Sequence, residues 1–173
     1  MAGLQITSAG KVEQVFALTN TDPVTIVPPG NPTPLPGTTI TLHLDVSSLL
    51  VISFDARVFG LTSTVGKTYG PFLALQCQVD GVFCAPNANS IEQYALPGLG
   101  HGQSFTWVVH HAKAGNHAVE IIATGINFGF APGLIEEIVV TNRTLVVLAA
   151  RIKRKRKSTR FSRGFFSQAK SGR

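Results

Sequence analysis

SFTWVVHHAKAGNHAVEII, residues 104–122, carries the cleanest strand-and-turn pattern in the chain. Phe105, Trp107 and Val109 alternate with Thr106, Val108 and His110, and Val119 and Ile121 resume an apolar face after residues 113–116. Side chains two apart share one face of a β-strand, so this period predicts two strands. Gly115 and Asn116 tolerate the positive φ that a tight reversal needs, which predicts that the strands form a β-hairpin. The chain's single tryptophan, Trp107, then belongs in the core, where a large aromatic ring buries most surface.

The same period recurs on both sides of this stretch. Residues 12–18 and 24–27 read as short strands, and the segment PPGNPTPLPG (28–37) lacks the backbone donors of a ladder strand, so an exposed, stiff loop is expected there. In 38–46, Ile40, Leu42, Leu44 and Val46 alternate with Thr39, Thr41, His43 and Asp45, predicting a half-buried strand with His43 on its polar side. The more continuous apolar run 49–59 suits a strand in the middle of a sheet, and 61–70, with Gly66 and Gly70, reads as a loop. Residues 72–79 and 82–84 flank Asp80-Gly81, a strong two-residue hairpin signal. Long connections are expected over 85–102 and 125–133, and strands over 135–140 and 144–150. No helical period of useful length interrupts residues 1–150. About eight to ten short strands with turns between them predict an all-β chain: a two-sheet antiparallel β-sandwich or jelly roll over 1–150, with a basic C-terminal tail, 151–173.

The order QCQVDGVFCAP, SFTWVV, AGNHAVEI, NRTLVVLA resembles the C-terminal half of small, uncharacterised bacterial and phage β-sandwich proteins over about residues 75–149. The shared features are a DG hairpin, an aromatic-x-Trp-Val strand, a Gly-x-His-x-Val strand and a final Arg-Thr-Leu-x-Val strand. The resemblance implies a sandwich and carries no assigned activity.

Charge divides the chain. The net charge is +6, yet residues 151–173 hold ten Lys or Arg and no acid, while residues 1–150 hold nine acidic and five basic residues. Arg151, Lys153, Arg154, Lys155, Arg156 and Lys157 form a block that repels itself and attracts polyanions, extended by Arg160 and Arg163. Phe161, Phe165 and Phe166 interleave with the later charges and suit stacking on bases, a bilayer interface or a groove in a partner. Residues 1–14 show neither a basic opening nor an apolar h-region, and no apolar run approaches the roughly 18 residues of a membrane helix, so neither a signal peptide nor a membrane span is expected. Localisation is not assigned by these features.

Candidate chemistry is thin. Cys77 and Cys84 are equidistant from the Asp80-Gly81 turn and should face each other across it, either as a disulfide or as buried thiols. Across the expected hairpin only one of His110 and His111 joins His117. His111 and His117, with Glu120 or His101 as a third ligand, are the weak metal candidates, and no metal or other cofactor is expected. No G-x-S-x-G elbow or paired-carboxylate constellation stands out, and Asp55 is expected to pair with Arg57. Tyr69, Tyr94, Asn127, Phe128 and Phe130, in or beside loops, supply the stacking and amide groups of a glycan site. The sequence therefore points to a non-enzymatic assembly or interaction protein that self-associates through its sandwich and binds a polyanion, nucleic acid first, through its tail. A virion or phage-particle component would combine both features by analogy. A secreted or surface carbohydrate-recognition module is the alternative, and an electrostatically anchored membrane-surface protein a weaker one.

Overall fold

The computed structural model describes residues 12–28, 30–62, 72–86, 91–94, 101–126 and 136–152; of 61, 62, 72, 91–94, 101, 103 and 136 it describes the backbone alone. The described strands are β1 (Val12–Asn20), β2 (Val24–Ile26), β3 (Thr33–Pro34), β4 (Ile40–Leu44), β5 (Ser48–Thr62), β6 (Phe72–Val79), β7 (Val82–Phe83), β8 (Ile91–Tyr94), β9 (His101–Ala112), β10 (Gly115–Ile126) and β11 (Glu136–Arg151). Every strand pairing among them is antiparallel.

One sheet runs β1-β11-β5-β9, with β2 continuing β1 along the same edge of β11. The other has β3 and β4 on one edge of β10, β6 on its other edge, and β7 and β8 beyond β6. Taking β1 with β2, β3 with β4 and β7 with β8 as broken single strands leaves two four-stranded sheets, in which the first strand lies beside the last and the second beside the last but one. This is jelly-roll order. The expected all-β sandwich is the fold observed.

The residues 104–122 contribute to it differently from the expected hairpin. β9 pairs with β5 in one sheet and β10 pairs with β6 and β4 in the other, so the link at Lys113 and Ala114 arches from sheet to sheet. The reason lies in parity. In a hairpin closed by two or four residues, odd positions of one strand share a face with even positions of the other, which would set Trp107 beside residues such as Glu120. The apolar positions are odd on both strands, and placing the strands in opposite sheets turns them inward together. Gly115, at φ +133°, makes the turn, whereas Asn116 is an ordinary strand residue opposite His43.

The core fills the space between the sheets. Leu50, Ile52, Phe54 and Val58 of β5, Leu145 and Val147 of β11, and Phe105 and Trp107 of β9 face Leu42 and Leu44 of β4, Leu73 and Leu75 of β6, and Val119 and Ile121 of β10. Trp107 is 2% exposed, as its sequence context predicts. β4 alternates buried and exposed residues with His43 outward.

Other expectations need correction. The segment 28–37 is no free loop: Gly30 N–H donates to Gly125 O at 3.0 Å, Leu35 N–H to Ile121 O at 2.7 Å, and Leu35 is buried. Its few remaining donors are enough to dock it along β10. Leu61 and Thr62 extend β5, Ile91–Tyr94 is a strand within the expected 85–102 connection, and Gly125 and Ile126 complete β10. The two expected last strands are one, β11, interrupted at 141–144 by a register shift where Asn142 takes φ 49°. A bulge keeps the strand continuous where the turn-like Thr141–Arg143 sequence suggests a break. The remainder of the expected connections, 63–70, 87–90, 95–100 and 127–133, lies outside the described residues, as does residue 135 of the expected strand 135–140.

Trp107→Ala should lower unfolding free energy by about 3–5 kcal/mol, the range for emptying a packed aromatic site, measured by urea denaturation monitored by circular dichroism.

Candidate functional site

Three places bring polar or reactive groups together. The first is at the tip of the β6–β7 hairpin. Asp80 and Gly81 adopt φ 53° and 76°, the paired positive values of a type I′ turn, as the Asp-Gly dipeptide predicts. The turn is anchored to the start of β10: Asp80 N–H donates to Ala118 O, and Ala118 N–H donates to Asp80 Oδ1, both at 2.9 Å. Asp80 Oδ2 lies 2.6 Å from His117 Nδ1, and His117 Nε2 lies 2.8 Å from Lys113 O. A backbone carbonyl only accepts and an ionised carboxylate only accepts, so this geometry favours the ring with both nitrogens protonated, an imidazolium.

The environment agrees with that assignment. Burial acts most strongly on Asp80, in the raising direction, but the Ala118 N–H, the His117 hydrogen bond and its charge together hold the carboxyl below its ordinary 3.8. For His117 burial again is the largest single influence and lowers the pKa; the Asp80 hydrogen bond, the Lys113 carbonyl and the Asp80 charge outweigh it and lift the ring above 6.5. The pair borders an open cavity of about 280 Å³, walled on its apolar side by Val82, Phe83 and Val109 and on its polar side by His111, Lys113 and His117. The arch thus brings His111 and His117 to one cavity without pairing their strands. His117, with both nitrogens engaged, has no lone pair for a metal. Among the described residues no group of three His, Cys, Asp or Glu is placed to hold one.

The second place is the buried thiol pair. Cys84 N–H donates to Cys77 O at 2.9 Å, and the two sulfurs lie 3.6 Å apart as free, buried thiols. The facing geometry read from the turn is therefore present, with thiols in place of a disulfide. The hydrogen bond shared with Cys84, burial and the Cys84 charge all push the Cys77 pKa up, while the hydrogen bond shared with Cys77 outweighs burial and lowers that of Cys84.

The third place was not singled out in the sequence. Arg143, 1% exposed, sits at the β11 bulge and donates through one terminal nitrogen to Asp22 O at 2.7 Å and Val140 O at 2.8 Å. It ties the β1–β2 turn to β11, a structural task whose signal in the sequence is an arginine at an inward strand position. Asp55 accepts a hydrogen bond from the Ser104 hydroxyl in place of the expected ion pair with Arg57, whose guanidinium lies 4.9 Å from the Phe59 ring centre. Packing the flat guanidinium on the ring is the alternative that a strand neighbour two residues away offers.

Of the tail, Arg151 is described: it is the last residue of β11 and is exposed. Lys153, Arg154, Lys155, Arg156, Lys157, Arg160, Phe161, Arg163, Phe165 and Phe166 lie outside the described residues. So do Tyr69, Asn127, Phe128 and Phe130; Tyr94 is a β8 residue whose backbone pairs with Phe72. Among the described residues no helix is long and apolar enough to cross a membrane.

Neither a protein-family model nor a curated protein matches this chain. Solved structures with a similar course include infectious bursal disease virus, Gx strain, at 12% identity and TM-score 0.47, covering 90% of this chain and 42% of that one. The VP2 subviral particle of infectious bursal disease virus matches at 12% identity and TM-score 0.46, over 88% of this chain and 42% of that one. Dimeric latent PorU from Porphyromonas gingivalis matches at 10% identity and TM-score 0.36, over 83% of this chain and 14% of that one. The chain spans less than half the length of each.

The Asp80–His117 pair should leave a pH signature. His117 is raised, so its contribution is complete below about pH 6.5 and is lost as pH rises through the folded-state value; Asp80 is lowered, so its contribution is complete above about pH 4 and is lost as pH falls through its folded-state value. The stability gap between the native chain and His117→Ala, measured by thermal unfolding from pH 3 to 9, should be widest between these limits. A gap independent of pH would show that the pair is not ionic. The thiols should resist alkylation in the folded protein and both react in denaturant, with Cys84 the faster at partial exposure, as read by mass spectrometry after digestion.

Proposed function

We propose that this chain is a non-enzymatic assembly protein whose jelly-roll body contacts further protein copies and whose tail, 151–173, engages a polyanion, nucleic acid being the one its chemistry fits best. The observation that carries this reading is the separation of charge along the fold. Residues 1–150 carry more acid than base, and the ten basic residues of 151–173 begin at Arg151, where β11 ends. β11 lies between β1 and β5, so the basic segment leaves from the end of an interior strand of one sheet and not from a remote appendage. A body that does not repel its own tail and a tail dense enough to neutralise several phosphates suit a protein that gathers copies around a polyanion. Interleaved Phe161, Phe165 and Phe166 add surfaces on which unpaired bases stack, each stack worth about 1–3 kcal/mol.

The polar constellations of the body have structural work that accounts for them, which favours the non-enzymatic reading. His117 and Asp80 pin a hairpin tip, His43 Nδ1 lies 2.6 Å from Asn116 Oδ1, and Arg143 joins a turn to a strand. Jelly rolls serve in viral capsids and in lectins alike, so the fold class alone does not choose between particle assembly and glycan recognition; the tail favours the first.

Binding of the full-length chain to single-stranded RNA should be strongly salt-dependent. If about six phosphates are contacted, affinity falls by about 300-fold between about 50 and 200 mM salt. Replacing Lys153, Arg154, Lys155, Arg156 and Lys157 by Gln should flatten that dependence and remove most of the affinity at low salt, as read by fluorescence anisotropy. Unchanged binding in this variant, or no binding at low salt by the native chain, overturns the role given to the tail.

A further inference from the structure

An antiparallel sheet with water on one face carries polar side chains on that face. The outward face of the β1-β11-β5-β9 sheet breaks this rule at one end. Val15, Leu148, Val51 and Val108 stand opposite one another in a single row across all four strands. The next row adds Ala17 and Val146 before reaching Ser53 and Thr106, and on the other side Ala150 and Leu49 stand beside Val12. Val15 is 62% and Val12 46% exposed, and the interior members of the main row are partly exposed. None of these positions is charged. One row further, Thr19, Thr144, Asp55 and Ser104 restore the expected polar face, so the apolar area is local and bounded.

A second observation concerns the edge where this area ends. β1 is nine residues long, with one charge, Glu13, and neither lysine nor proline. Among the described strands it pairs on one side only, with β11. Natural sheet edges are usually shortened, charged or covered. The opposite edge of the same sheet is covered where it matters: Val108 N–H donates to Ala85 O at 2.7 Å. Among the described residues, the blunting features at the β1 edge are an irregularity in register between Val12 and Gln14 and the Glu13 charge beside it.

We propose that this outward face, centred on Val15, Leu148, Val51 and Val108, is the surface through which two copies of this chain pack, with their β1 strands at the seam. The inference rests on the self-association reading above and gives it a place. A second copy presents the same uncharged patch and the same open edge, so one two-fold contact covers both at once. The size is consistent with the centre of an interface. Four strands at about 4.8 Å spacing and about five residues at about 3.4 Å give roughly 300 Å², against about 800 Å² per partner in a standard interface. The Thr and Ser rows and exposed His110 would supply the polar rim. The chain's own tail is a poorer occupant, because its ten positive charges would find no acid within the apolar rows.

The test is sedimentation equilibrium of the full-length, nuclease-treated chain in about 0.5 M salt, where tail electrostatics are screened to about a Debye length of 4 Å. The native chain should form a dimer or a larger multiple. Val15→Glu should weaken association by about a hundredfold, and Val15→Thr, which keeps a β-branched strand residue, by several-fold. Thr41→Glu, exposed on β4 of the other sheet, should leave it unchanged. Circular dichroism establishes that each variant is folded. If folded Val15→Glu and Val15→Thr associate like the native chain, the surface is wrong while self-association stands. If the native chain is monomeric throughout, the self-association reading itself fails, and the surface with it. Association that appears only when Phe161, Phe165 and Phe166 are replaced by Ser would make the tail the occupant and overturn the proposal.

Discussion

The pairing of β5 with β11 is the contact on which the rest of the structure depends. It runs from Ser48 opposite Arg151 to Thr62 opposite Glu136, interrupted by the bulge near Asn142. Both strands are interior to their sheet, so β1 and β2 attach through β11, and β9 attaches through β5. The inward faces of the two strands, from Leu50 to Val58 and from Ile138 to Ala149, supply much of one wall of the core. Because the partners are about ninety residues apart, this ladder cannot form early from local contacts, and loop closure has to precede its stabilisation.

The same constraint explains what sequence could and could not disclose. Most of the longer strands, the buried Trp107, the Asp80-Gly81 turn and the facing of Cys77 with Cys84 follow from period and short-range turn chemistry, and these are present. The partner of each strand is set by distant segments, which a local pattern does not encode. The β9–β10 arch is the clearest case: glycine near the reversal suits a hairpin and an arch equally, and the odd–odd parity of Trp107 with Val119 and Ile121 argues only against hairpins closed by two or four residues. The Arg143 bulge and the docking of residues 28–35 on β10 depend likewise on distant carbonyls. Asp80 was legible as a turn residue but not as the partner of His117, because β6 and β10 meet only in the folded sheet.

Function follows a similar division. The basic tail is legible in composition, and its proposed role is a matter of charge density and aromatic spacing. The proposed copy-to-copy surface is not legible from any one strand. Val15, Leu148, Val51 and Val108 belong to four separate strands, and each is an unremarkable valine or leucine until the register aligns them. Their outward direction, a β1 edge unpaired among the described strands and the end of β11 at Arg151 place an uncharged surface and the start of the basic segment on one body.

The most direct measurement is sedimentation velocity of the full-length chain titrated with single-stranded RNA at low salt. An assembly protein of this kind should move into a fast, multi-copy boundary whose protein-to-RNA ratio stays fixed as RNA is added. Protein that sediments as a monomer throughout the titration, or that binds RNA as isolated single copies, would contradict it.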